Sequence, residues 1–164
     1  MPVSKQTYRE AMARLGAAVN VVTSDGPGGR CGFTASAVCS VTDTPPTLLV
    51  CVNRTNDSYS TLKQNGILCV NTLAGAHEPL STLFAGLTGH EASARFETGT
   101  WHTLATGAPA LTDATVAFDC RIKEARDIGT HTVFFAEVEA IQVGEDGEAL
   151  IYYGRGYHRL ALKV

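Results

Sequence analysis

The stretch AVNVVTSDGPGGRCGFTASAVCSV, residues 18–41, decides the fold class of this chain. Two strand-like runs, AVNVVTS (18–24) and RCGFTASAVCSV (30–41), flank DGPGG (25–29), whose glycines supply the positive φ that a tight turn needs. An antiparallel hairpin is expected here. Downstream, TDTPPT (42–47) interrupts the chain, because Pro45 and Pro46 lack the N–H groups that a central strand would use, and LLVCVN (48–53) reads as a fully buried strand. RTNDSYSTLKQNG (54–66) has the signals of a short helix, with Asn56, Asp57 or Ser58 as N-cap and Gly66 as the stop, and ILCVNTL (67–73) is another apolar strand.

Upstream, residues 4–15 place Thr7 and Glu10 at capping-box spacing and Tyr8, Met12 and Leu15 at helical spacing, with Gly16 where a C-cap belongs. An N-terminal amphipathic helix follows. Residues 76–107 hold a short helix around Pro79 to Ala85 and then a polar, Gly- and Thr-rich excursion without sustained periodicity. From Ala114 strands return as ATVAFDCRIKEA, THTVFFAEVEAIQV and EALIYYG, the last two resembling a hairpin. Six or seven strands and two or three short helices, with no repeat and no linker, predict one mainly β domain over residues 1–164, a β-barrel with peripheral short helices.

Composition narrows the function. Thirteen Lys plus Arg against sixteen Asp plus Glu give a net charge of −3, with 45% hydrophobic and 18% charged residues, so neither nucleic acid nor an anionic membrane is a favoured partner. No apolar run approaches the ~18 residues that span a bilayer, and the polar start MPVSKQTYREAM predicts a cytoplasmic protein. Cys31, Cys39, Cys51, Cys69 and Cys120 are odd in number and lack C-x-x-C spacing, so they read as free, mostly buried thiols.

Motif tests remove several chemistries. GPGGRCG lacks the third glycine of G-x-G-x-x-G and lies between two strands, which argues against a Rossmann site, and no Gly-Lys pair exists for a P-loop. His77-Glu78 and His90-Glu91 each begin H-E-x-x-H, but Ser81 and Ala94 occupy the fifth positions, so no zinc pair forms. Ser36 lacks the glycines of a nucleophile elbow. No catalytic side chain and no metal site is assigned.

Three features remain. With period two, Thr34, Ser36, Val38 and Ser40 share one face and Ala35, Ala37, Cys39 and Val41 the other, so this surface is shallow and rich in donors. A flat ligand could lie against it, although small side chains also let a helix or a subunit pack closely. At NRTNDS (53–58), Arg54, Thr55 and Ser58 suit a phosphate, while Asp57 opposes an anion and an ordinary capped helix is the alternative. His131 opens an apolar strand where it could donate to a carboxamide or phosphate or serve the fold alone, and Tyr153, Arg155, Tyr157 and His158 crowd near the C-terminus.

At AAVNVVTSDGPGGRCGFTASAVCSVTDTPPTLLVCVNR, LCVNTL, LFAG, Arg95-Phe96, FDCRI, GTHTVFFAEV and LIYY the chain resembles the short-chain flavin reductases, the reductase components of two-component flavin monooxygenases. The resemblance implies an FMN-binding split β-barrel, a homodimer, and reduction of FMN or FAD by NADH or NADPH, with the reduced flavin released to a separate monooxygenase. It further implies that Thr34, Ala35, Ser36 and Ala37 line the flavin, that Asn53 contacts its ring or ribityl chain, and that Arg54 and Ser58 lie near its phosphate. Phe84, Ala85 and Gly86 would form a second wall, and His131 and Tyr153 would stand near the nicotinamide nucleotide. Alternatives from other classes are an electron carrier or sensor with tightly held FMN, and a split-barrel oxidase of a phosphorylated B6 vitamer, for which no cluster of basic residues is evident.

Overall fold

A computed structural model describes residues 1–163. Helix α1 (Lys5–Met12) starts at Ser4, whose Oγ accepts the Thr7 N–H at 3.1 Å, and closes at Ala13. The expected capping pair Thr7/Glu10 and stop at Gly16 are therefore corrected: Ser4 lies one turn earlier and satisfies the orphan donor first. The expected hairpin is present. Strands β2 (Asn20–Ser24) and β3 (Cys31–Ala35) pair antiparallel, and Asn65 braces their turn by accepting the Gly28 N–H at 2.7 Å and donating to the Gly29 carbonyl at 2.9 Å.

The run 30–41 is not one strand. It stops at Ala35 and resumes as β4 (Val38–Asp43), which pairs with β5 (Pro46–Asn53), so Pro46 begins a strand rather than ending one. The expected alternation across residues 34–41 is broken at Ser36–Ala37. The remaining strands of the main sheet are β6 (Ile67–Thr72), β9 (Val116–Ile128) and β10 (His131–Val143), in the antiparallel order β3-β2-β6-β9-β10-β5-β4. β3 and β4 thus form opposite edges of one seven-stranded sheet, yet only two residues join them. Three chain steps reach at most about 11 Å, so the sheet rolls until its edges are neighbours. No ladder of hydrogen bonds joins β3 to β4 among the described residues, and the roll stays open at that seam.

The inside of the roll holds Val22, Phe33, Val50, Val52, Leu68, Val70 and Phe134. Its outside is covered over β2 by α3 (Glu78–Phe84), Phe96, Leu111 and Leu150, so all five residues of β2 are buried. β5 is corrected from fully to half buried: Val50 and Val52 lie in the core with Leu48 packed against it, while Leu49 and Cys51 are only partly buried. Helix α2 (Tyr59–Asn65) ends at Gly66 in the left-handed conformation, φ +68°, as expected.

The other correction concerns pairing. β10 forms its hairpin with β9, whereas β11 (Ala149–Tyr153) pairs with β12 (Gly156–Leu160) and with β1 (Ala17–Ala18). Short strand β7 (Trp101–Thr103) lies in the stretch without periodicity and its partner β8 (Pro109–Leu111) just beyond it, both too brief to show one. Twelve strands result among the described residues, against six or seven expected. Among the described residues no helix is long and apolar enough to cross a membrane.

Candidate functional site

The seam between the two sheet edges carries the candidate site. Thr34, Ala35 and Ser36 line a cavity of about 260 Å³ together with Val19, Ala85, Leu87, Tyr152 and Tyr157. Its rear is fixed by a short relay, in which Thr34 Oγ1 donates to the Ser81 carbonyl at 2.6 Å and Ser81 Oγ meets Tyr157 Oη at 2.7 Å. Through Ser36 and Tyr152 the cavity opens into a groove of about 870 Å³ lined by Ala37, Val38, Cys39, Met12, Leu15 and Arg155. Ser36 and Ala37 are exposed, and among the described residues neither of their N–H groups is bonded within the chain. Both residues thus border the groove with backbone N–H groups that nothing in the described chain takes up, in a space of the size range common for small-molecule sites.

A second cluster forms at the end of β5, where Asn53 stands in register with His131 of β10. Asn53 Oδ1 accepts the Thr55 N–H at 3.0 Å and shapes the turn. Arg54 reaches across to the β9–β10 turn, donating to the Gly129 carbonyl at 2.6 Å and lying 3.7 Å from Asp127. His131 is exposed, with Nδ1 2.8 Å from Thr130 Oγ1. Tyr153 stands apart from both clusters, on a groove with Glu10, Ala13, Arg14 and Arg155.

Asn53, Arg54, Gly86, His131 and Tyr153 do not line the cavity, and two further expected site residues, Phe84 and Ser58, are buried away from it. Phe84 is 1% exposed and packs edge-on against Phe96 at 5.2 Å, with Gly32 leaving room for its ring: a Cβ there would come within 2.7 Å of it. Ser58 is wholly buried beneath β3, its Oγ 3.4 Å from the Gly32 carbonyl. Ala85 does line the cavity, and Gly86 takes a left-handed φ of +77° beside Arg95. Sequence reasoning assigned no role to Tyr152, Leu87, Ser81 or Arg95. A buried serine in an apolar helix was the readable signal for Ser81, and nothing local marked Leu87.

Three of the five thiols are buried and offer no nucleophile. Burial pushes Cys31 up to about 11 and Cys120 up to about 12, and it raises Cys69 further, so these three are protonated at neutral pH. Among the described residues no group of three His, Cys, Asp or Glu side chains is placed to hold a metal ion. A space with two free amides, hydroxyls and aromatic edges holds a planar polar ligand better than it activates water.

Residues 12–161 match the flavin reductase like domain. The chain is 58% identical over 159 residues to the FMN reductase (NADH) RutF of Ancylobacter novellus, covering 97% of this chain and 87% of that protein. It is 56% identical over 162 residues to the FMN reductase (NADH) RutF of Pantoea ananatis, covering 99% and 84%. Among solved structures, the NADH:FAD oxidoreductase SgcE6 of Streptomyces globisporus C-1027, in complex with NAD and FAD fragments, is similar at a TM-score of 0.86 and 25% identity over 98% of this chain and 97% of that one. With the family's pattern running through both edges of the rolled sheet and the cavity at their seam, this protein belongs to the flavin reductase-like domain family.

Proposed function

We propose that the chain, acting as one domain, is an NAD(P)H-dependent flavin reductase that reduces FMN or FAD and releases the product to a separate monooxygenase. The seam at Ser36–Ala37 carries this reading, because it offers free N–H groups, small side chains and an adjoining groove large enough for a second ligand. A bound flavin supplies the hydride acceptor that no amino-acid side chain provides. The residues then have positioning tasks. The amides of Ser36 and Ala37 donate to the polar edge of the ring and favour negative charge there. Ala35, Val19, Ala85 and Leu87 exclude water from its apolar part, while Thr34 is held by Ser81 and so keeps the cavity wall fixed. Asn53 and Arg54 hold the ribityl chain and phosphate, with Ser58 supporting them from beneath, and His131, in register with Asn53, orients the nicotinamide donor.

A homodimeric split barrel in the cytoplasm is part of the same reading. The outer face of β4, β5 and β10 presents Cys39, Val41, Leu49, Cys51, Val133 and Phe135 in adjacent register with no cover from this chain, a surface suited to a second copy. Five free cysteines suit a reducing compartment. NADH oxidation, followed at 340 nm with and without added FMN, FAD or riboflavin, tests the activity. The expected result is oxidation that requires added flavin and saturates with it. Flavin-independent oxidation by a yellow protein would favour the tightly bound carrier instead.

A further inference from the structure

Three segments that border the candidate site meet on one guanidinium. Arg95, in a 3₁₀ turn at Ala94–Glu97, is 4% exposed. Its Nη1 donates to the Gly32 carbonyl of β3 at 3.0 Å, two residues before Thr34, and its Nη2 donates to the Asp57 carboxylate at 2.6 Å. The same Nη2 lies 3.5 Å from where a Cβ on Gly86 would sit. Nε is buried without a partner among the described residues. Taking a charge this far out of water is costly, and its partner carboxylate stays half in solvent, so the pair is weak evidence for stability. A charge retained at that cost invites a functional reason.

Asp57 supplies it. Its side chain is 54% exposed, three residues from Arg54 in the segment that the flavin reading gives to the phosphate. A bare carboxylate there would repel an anion. Arg54 does not compensate fully, because its own charge faces Asp127 at 3.7 Å. With Arg95 in place the four charges cancel; without it the segment is left net negative. Resting on the reading that the flavin tail reaches Asn53 and Arg54, we propose that Arg95 is a positioning residue that neutralises Asp57, lets this segment accept a terminal phosphate, and thereby sets the preference for FMN over riboflavin.

Dissociation constants for FMN and riboflavin, measured by flavin fluorescence on the full-length protein, test this in Arg95→Met, Asp57→Asn and the double variant. Removing one close charge is expected to lower the FMN-over-riboflavin preference roughly tenfold in Arg95→Met. Asp57→Asn is expected to raise it about threefold or more, and the double variant to regain the loss. Arg95→Met weakening both flavins in equal proportion would mean that the arginine only holds the walls together, and would overturn the proposal. Should Arg95→Met fail to fold, Asp57→Asn decides alone, and an unchanged preference there overturns it. Failure of the wild type to bind either flavin would instead sink the flavin reading itself.

Discussion

The two edges of the rolled sheet make the most informative comparison in the molecule. β3 and β4 are joined by two residues and drawn from one apolar sequence run, yet β3 is buried at Cys31, Gly32, Phe33 and Ala35, while in β4 only Val38 is even half-buried. The difference lies in what covers them. α3 lies over β3, with Phe84 against Gly32 and the Ser81 carbonyl bonded to Thr34, whereas nothing in the chain lies over β4. One edge is sealed by the protein and the other is left uncovered, so the candidate site falls where the covering stops.

The strongest challenge to this comparison is a pair of truncations. Phe33→Ala on β3, 4% exposed, is expected to cost ~3–5 kcal/mol in urea unfolding. Val41→Ala on β4, 46% exposed, is expected to stay within ~0.5 kcal/mol. Equal costs would erase the distinction, and a Val41→Ala cost that grows with protein concentration would show a second copy covering that edge. The seam between them gives the next largest effect. Ser36→Tyr fills the cavity mouth and should weaken flavin binding at least ~10-fold by fluorescence titration while moving the unfolding midpoint little, since Ser36 is exposed. Retained affinity would remove the seam from the site.

Thiol chemistry sharpens the comparison most gently. Exposed Cys39 on β4 should react with a disulfide reagent in the native protein, while Cys31 on β3, 2% exposed, should react only on unfolding. Burial raises the folded Cys31 thiol from its ordinary 9.0 to about 11, so its share of stability is whole below pH 9 and is lost as pH rises through 11. A Cys31→Ala variant should therefore flatten the alkaline arm of a stability-against-pH curve, and an unaltered arm would show that other groups govern it.

Much of this was legible from local chemistry. The DGPGG turn, the Gly66 stop and the strand 67–73 were readable because glycine conformation and apolar runs are local properties. The seam was misread as continuous strand because a break between Ala35 and Val38 has no local marker; it exists only because β4 finds β5 and β3 finds β2. The hairpin expected over 130–154 is absent for the same reason, since β10 pairs along nearly its whole length across β9 and β5, and β11 is left to β12.

Sequence alone determined the mainly β class, the hairpin around the turn at 25–29, the free cysteines and the small hydroxylated stretch that borders the cavity, because turn geometry, side-chain size and charge are set residue by residue. Tertiary structure decided which edge is sealed, that Phe84 and Ser58 support the site from inside while Tyr152 and Leu87 face it, and that Asp57 is neutralised by an arginine thirty-eight residues away. Such facts depend on which distant segments share the little space between two sheet edges, and no window of the sequence contains that.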